Sequence, residues 1–224
     1  MKNTIKNIAN YAIDTWAFAR FISIFLATTA LGACALPSPP TRATVYDFGP
    51  GAVVSVPTNR MARLSPIALA EVEASSALDS TAVLYRLAYA DAQALQPYAQ
   101  ARWSMAPAQL VRQRLREHLS TRRAVLNSGE GSVIDGVKTS PWLLRIELEE
   151  FSQLFESATV STGLLRLRAT VVQATPLGEK LIGQRAVIVQ RPAPTADAAG
   201  GVRALTAATD AAVLELDQWL QQLQ

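Results

Sequence analysis

Cysteine and histidine each occur once in this chain, as Cys34 and His118. One cysteine excludes an intramolecular disulfide. With a single histidine beside it, the usual Cys/His zinc set of three or four ligands is excluded as well. Ser-His-Asp catalysis would have to run through His118, and no serine sits in a G-x-S-x-G elbow. Glycine is sparse at 11 of 224 residues. The stretch "GEGSVIDG" (129–136) has neither G-x-G-x-x-G spacing nor a Walker lysine, and reads as a flexible loop between helix and strand. Charge is low, at 17% of residues with a net of +3. Of that net, Lys2, Lys6 and Arg20 against Asp14 account for two units, so the chain beyond residue 33 is nearly neutral. A nucleic-acid partner would need a concentrated basic surface, which this distribution does not supply.

What the chain has instead is a marked N-terminus. Lys2, Lys6 and Arg20 form a positive region ahead of the apolar run "FISIFLATTAL" (21–31), the layout of a secretory signal. That run is about eleven residues, short of the roughly 20 that cross a bilayer as a helix. Leu31, Gly32, Ala33 and Cys34 follow directly, and resemble the bacterial lipobox. Cleavage is expected between Ala33 and Cys34. The cysteine then becomes an N-terminus carrying a thioether-linked diacylglycerol and an N-acyl group, with palmitate among its fatty acids. Pro37, Pro39 and Pro40 in "ALPSPPTRA" favour extended polyproline geometry, at about 3.1 Å per residue a spacer of roughly 25–30 Å. Ala35 in place of aspartate favours sorting to the periplasmic face of the outer membrane, by resemblance to sorted lipoproteins. The expected organisation is a signal peptide over 1–33, a lipidated proline-rich tether over 34–43, and one domain over 44–224.

Within 44–224, period-two alternation predicts most elements. "TVYDFGPG" starts as a strand and ends in a Gly-Pro-Gly turn, and further strands are expected in 64–78 and 81–89. Pro107 in a first turn, with Leu110, Val111, Leu115 and Leu119 on one stripe, predicts a helix. Its Arg112, Arg114 and Arg116 read as a solvated face. Leu144, Ile146 and Leu148 alternate with Arg145, Glu147 and Glu149, while Leu165, Leu167, Ala169 and Val171 alternate with Arg166, Arg168 and Thr170. Folded about a turn near 156–160, the two make a hairpin with Glu149 opposite Arg166 and Glu147 opposite Arg168. Its charges share one face and its apolar groups the other. A strand follows Gly178, and Leu205, Ala208, Ala212, Leu216, Trp219 and Leu220 predict a C-terminal helix over about 196–222. The expected fold is α+β: an antiparallel sheet of five to six strands with two main helices packed on one face.

Nothing in this pattern argues for catalysis. His118, at the edge of its helix stripe, reads as a partly solvated surface group. Glu149 and Glu150 would point to opposite faces of a regular strand, so they make no acid/base pair. Tyr98, Trp103 and Trp142 read as core. No catalytic residue, metal ligand or cofactor is assigned beyond the acyl groups on Cys34.

The segments "LDSTAVLYRLAYADAQALQPYAQARWSMAPAQLVRQRLREHL" (78–119), "LRIELEEFSQLFES" (144–157) and "AATDAAVLELDQWL" (207–220) resemble the ABC-type transport auxiliary lipoproteins, the group that includes paraquat-inducible protein C. The resemblance spans nearly the whole chain, and its motifs are packing patterns, so only Cys34 carries over as a functional residue. It implies an outer-membrane lipoprotein without ATPase motifs of its own, partnered with an MCE-domain periplasmic protein of an ABC transporter for phospholipid or other hydrophobic cargo. It also implies a homo-oligomer. Two other readings stay open: a lipid-binding carrier or acceptor, and an envelope-assembly lipoprotein unrelated to transport.

The anchor assignment is tested by Cys34→Ala. Incorporation of labelled palmitate should disappear, and the protein should leave the membrane fraction. Unchanged labelling would remove Cys34 as the modified residue.

Overall fold

The computed structural model describes residues 42–51, 64–129, 132–134 and 137–224. The expected signal peptide and nearly all of the tether, Cys34 included, lie outside the described residues.

The sheet is organised around one long strand. Strand β8, Trp142–Phe155, pairs along one whole edge with β9, Ser161–Thr175, which pairs in turn with β10, Gly178–Pro192. Its other edge is shared end to end by two shorter strands. β2, Ile67–Ala74, lies against 142–148, and β3, Ala82–Leu87, lies against 153–155. Between them a single 3-10 turn, Ser76–Leu78, offsets the chain without reversing it, so both strands run parallel to β8. Outside β2 sits β5, Val125–Asn127; outside β3 sit β4, Asp91–Trp103, and then β1, Thr44–Tyr46. Two short strands, β6 (Ser132–Ile134) and β7 (Val137–Thr139), form a separate antiparallel ribbon.

This corrects the expectation of an antiparallel sheet of five to six strands. The main sheet has eight strands and is mixed, with β1/β4, β2/β5, β2/β8 and β3/β8 parallel. The reason is connectivity: β8 is reached from β2 through a helix, and such a crossover delivers a parallel neighbour where a hairpin would deliver an antiparallel one. β4 escapes a sequence reading because "DAQALQPYAQARW" is rich in Ala and Gln and carries Pro97. It is a strand because the turn after Leu87 folds it back on β3, with Leu87 opposite Asp91 and Ala82 opposite Arg102. The ribbon of β6 and β7 likewise replaces part of the flexible loop expected over 129–136.

The hairpin of β8 and β9 keeps the expected partners up to Leu148: Ile146 faces Ala169, Glu147 faces Arg168, and Leu148 faces Leu167. A bulge then intervenes, so Arg166 faces Glu150 and not Glu149. Its physical cause is visible in the apolar phase. Leu144, Ile146 and Leu148 are buried, and so are Phe151 and Phe155, three and seven residues beyond Leu148. An unbroken strand would send that second group to the opposite face, and one extra residue returns it to the core.

Both helices cover this face. Helix α1, Pro107–Leu119, begins on its proline and buries Leu110, Val111, Leu115 and Leu119 beside β2. Helix α2, Ala198–Leu223, lies across β8, β9 and β10. Asp197 caps it, accepting from the Gly200 N–H at 2.7 Å, and that bond holds its carboxyl below the ordinary range. Gly200 and Gly201 weaken the first turn intrinsically, but a Cβ on Gly201 would stand 2.0 Å from the Gln153 Oε1. Gly163 on β9 faces the backbone of the helix itself: its Cβ would lie 2.6 Å from the Ala204 carbonyl carbon and the Leu205 nitrogen. The helix therefore rests on bare β9 backbone at that point.

Gly163→Ala should destabilise the domain by about 1–3 kcal/mol, read as a lower urea midpoint. Gly183→Ala should cost less, because its added Cβ meets only side-chain atoms of Trp219 and Leu223 at 3.3 Å. Equal midpoints for the two variants would show that α2 is free to lift at Gly163.

Candidate functional site

The residues assigned a chemical role from sequence, Leu31, Gly32, Ala33 and Cys34, lie outside the described residues. The other sequence candidates fall into three clusters on the helix side of the sheet and a charged array on its outer side.

Arg112, Arg114 and Arg116 do not form a solvated face; all three are partly buried and each ties α1 to a different neighbour. Arg112 grips an irregularity in β2, donating from Nε to the Ala70 carbonyl at 3.3 Å and pairing with Glu71 at 3.0 Å. Arg116 donates to the Val125 carbonyl and to Asn127 Oδ1 in β5. Arg114 reaches the segment after β1, donating to the Phe48 carbonyl at 2.6 Å, and lies 3.2 Å from Asp210 of α2. The sequence places these cations on the helix face away from the core, but that flank is where the sheet's other elements come up beside the helix. Arginine serves here because its long stem packs while its head finds carbonyls.

His118 is about one-third exposed, as expected, and its Nε2 lies 3.6 Å from Asp217 Oδ2. Asp217 is the centre of this second cluster. It is nearly buried on α2 and receives Arg123 at 3.4 Å, Gln221 at 3.0 Å and, more distantly, Arg122 at 3.9 Å. The Arg123 side chain is fully enclosed; burial pulls its ionisation below the ordinary arginine value, and Asp217 pushes back. Two of its nitrogens, Nε and Nη1, have no hydrogen-bond partner among the described residues. Sequence reasoning missed this pair. Its signal was present: Asp217 occupies a position on the apolar stripe of α2 between Leu216 and Trp219.

In the third cluster, Tyr98 on β4 donates its hydroxyl to Gln153 Oε1 at 2.8 Å, and Gln153 Nε2 donates to Ser161 Oγ at 2.8 Å. Burial, then the nearby Tyr85 and Asp197, pushes the Tyr98 phenol up, so it stays a donor. Trp103 packs edge-on to Phe48 in the core, as expected, whereas Trp142 is half-buried at the start of β8. Glu149 and Glu150 do not point to opposite faces. The bulge keeps both on the outer side, where Arg168 holds Glu149 at 2.6 Å and Arg86 holds Glu150 at 3.0 Å. These arginines and carboxylates line up the sheet and set no carboxylate pair free for proton transfer.

Chemically, the three clusters join elements together. Among the described residues no three His, Cys, Asp or Glu side chains converge as a metal site. The histidine faces a carboxylate already shared with two arginines.

A family model for the ABC-type transport auxiliary lipoprotein component matches residues 46–216. Among solved structures, a Xanthomonas campestris protein of family DUF330 superposes with a TM-score of 0.62 at 19% identity, covering 80% of this chain and 96% of its own. A second, described only as an uncharacterized protein, gives 0.58 at 12% identity, covering 80% and 99%. At those identities the likeness shows the fold alone. No curated protein matches the sequence.

Removing one member of the buried pair should be severe. Asp217→Ala leaves Arg123 enclosed without a counter-charge and should cost about 3–5 kcal/mol in denaturant melts. The double variant Asp217→Leu with Arg123→Met should recover most of that loss. A double variant as unstable as the single would mean that the pair is held by more than charge.

Proposed function

The chain belongs to the ABC-type transport auxiliary lipoprotein component family, and from that premise we propose that it is anchored by Cys34 in the outer membrane and docks the periplasmic part of an ABC transporter there. The partner in this reading is an MCE-domain protein that conducts phospholipid or other hydrophobic cargo between the membranes. Several copies of the chain would surround its end. The observation that carries the proposal is the combination of a family match over most of the domain with a lipobox and proline tether immediately ahead of it.

The physical logic is that of a fixed mount. Acyl chains contribute about 0.8 kcal/mol per buried methylene, and two or more chains make attachment stable. A tether of roughly 25–30 Å would set the height of the domain above the leaflet. The domain itself suits a mount: its helices are clamped to the sheet by arginines and by backbone-close glycines. As a lipid carrier it would need an apolar cavity. Among the described residues, a pocket beside α1 of about 210 Å³ is rimmed by polar groups and smaller than the roughly 300–1,000 Å³ of ordinary small-molecule sites.

In-cell crosslinking of the tagged full-length protein, followed by capture from membranes and mass spectrometry, tests the reading. Recovery of an MCE-domain protein is the expected result. Capture of only itself, or of an unrelated envelope assembly, would remove the transport role and leave the anchor.

A further inference from the structure

The two ends of the main sheet differ in what they expose and in how far they lie from β1. At one end stand the β3–β4 turn, residues 88–90, and the β8–β9 turn, residues 156–160. The Ala88 N–H donates to the Phe155 carbonyl at 2.9 Å, which ties these two turns into one surface. The Ala193 N–H donates to the Ser161 carbonyl at 2.8 Å and brings the β10–α2 connection, residues 193–197, alongside. Tyr89 and Val160, at the tips, are 53% and 52% exposed. None of the three connections carries a lysine or arginine. Their carboxylates are Glu156 and Asp197, and Asp197 is engaged in capping α2. At the opposite end is the β9–β10 turn, where Leu177 is fully exposed.

Strand directions decide which end the N-terminal side of β1 faces. β1 runs parallel to β4, with Thr44 opposite Ala101 and Tyr46 opposite Trp103. β4 runs away from the β3–β4 turn, from Asp91 opposite Leu87 to Arg102 opposite Ala82. The backbone therefore enters β1 from the side of that turn. Tyr85 lies opposite Gln153 and Leu87 opposite Phe155, so Ala82, and Thr44 with it, stand level with the Glu150 region of β8. At about 3.3 Å per strand residue, Thr44 is about 15 Å short of the Tyr89 end. In the other direction β8 continues back to Trp142, and β9 runs on from Val172, opposite Leu143, to Thr175. On the same rise the Leu177 turn lies about 40 Å from Thr44. Cys34 and Thr44 are ten residue steps apart, which span at most about 36 Å even when fully extended. A leaflet holding Cys34 is within that reach at the Tyr89 end and outside it at the Leu177 end.

We propose that the end formed by residues 88–90, 156–160 and 193–197 rests on the phospholipid leaflet that holds the acyl chains of Cys34, with Tyr89 and Val160 in the headgroup layer and the Leu177 turn pointing away from it. This rests on the reading of Cys34 as the anchor and adds the face that the domain turns to the membrane. A tyrosine ring with its hydroxyl in water suits the headgroup level, and valine adds apolar area beside it. With no cation in the three connections, the contact draws nothing from anionic headgroups and is insensitive to salt. Two side chains would not hold a free domain on a membrane. The anchor supplies the high local concentration at which so small a contact is populated.

The test uses the full-length acylated protein with one added cysteine, Tyr89→Cys, Val160→Cys or Leu177→Cys, labelled with an environment-sensitive fluorophore. Each is reconstituted into vesicles of phosphatidylethanolamine and phosphatidylcholine doped with phosphatidylcholine carrying a headgroup nitroxide. Labels at 89 and 160 should shift to the blue and lose emission to the nitroxide, equally at low and high salt. The label at 177 should keep its emission. Val160→Glu should reduce the quenching at position 89 without releasing the protein from the vesicles. Quenching at 177 as strong as at 89, or none at 89 and 160, would overturn the proposal. So would a blue shift at 89 and 160 without quenching, the mark of contact with a second copy. The anchor has its own readout: its Cys34 sulfur is a thioether, so the protein without an added cysteine should take no label and should float with the vesicles. Label uptake or failure to float would remove the anchor and the proposal with it, whereas unquenched labels on floating protein would remove the orientation alone.

Discussion

A single inserted residue in β8 governs the architecture. Strand β8 is 14 residues long and must keep one face apolar for its whole length, since β9 pairs along its full edge and α2 stacks on its inner side. The Glu149–Glu150 bulge resets the alternation midway. Leu144, Ile146 and Leu148 before it then share a face with Phe151 and Phe155 after it. Without the reset, the second half of β8 would present Ser152 and Leu154 to α2 and send Phe151 to solvent. The bulge also falls between the two strands that divide the other edge of β8, β2 before it and β3 after it. Added local twist at that point accommodates two partners where a regular strand has one.

The charged residues divide by depth. On the outer face, Arg168 with Glu147 and Glu149, and Arg145 with Glu179, are exposed pairs that contribute at most about 1 kcal/mol each, so their main effect is on register and solubility. On the helix side, Arg112, Arg114 and Arg116 donate to backbone carbonyls of β2, β5 and the β1 exit. These bonds satisfy acceptors at the ends and irregularities of strands, where the sheet ladder stops. Asp217 and Arg123 go further, placing an ion pair at the junction of α1 and α2 where an apolar pair of similar size would stabilise as well. Their presence argues for fixing how the two helices meet.

These features suit the proposed role of a mount. Backbone-close packing at Gly163 and Gly201 leaves α2 little freedom to slide. The polar chain from Tyr98 through Gln153 to Ser161 links β4, β8 and β9 under the first turn of that helix. In the proposed role, a body packed this tightly would present the same surface to whatever it meets.

Much of this was legible in the amino-acid sequence because it depends on local periodicity. The stripe Leu110, Val111, Leu115 and Leu119, and the alternation from Leu144 to Leu148 and from Leu165 to Val171, are patterns over a few residues. They yielded both helices, the central hairpin and the family. Strand direction was not local: β2 and β3 lie parallel to β8 because of a crossover and a 3-10 offset, which alternation does not encode. β4 was hidden because Ala, Gln and Pro have no strand preference of their own until β3 supplies a partner. Arg112, Arg114 and Arg116 read as solvated because sequence shows only which helix face they share. Only the tertiary structure decides what lies opposite that face, and here it is backbone from β1, β2 and β5, brought in from up to 66 residues away.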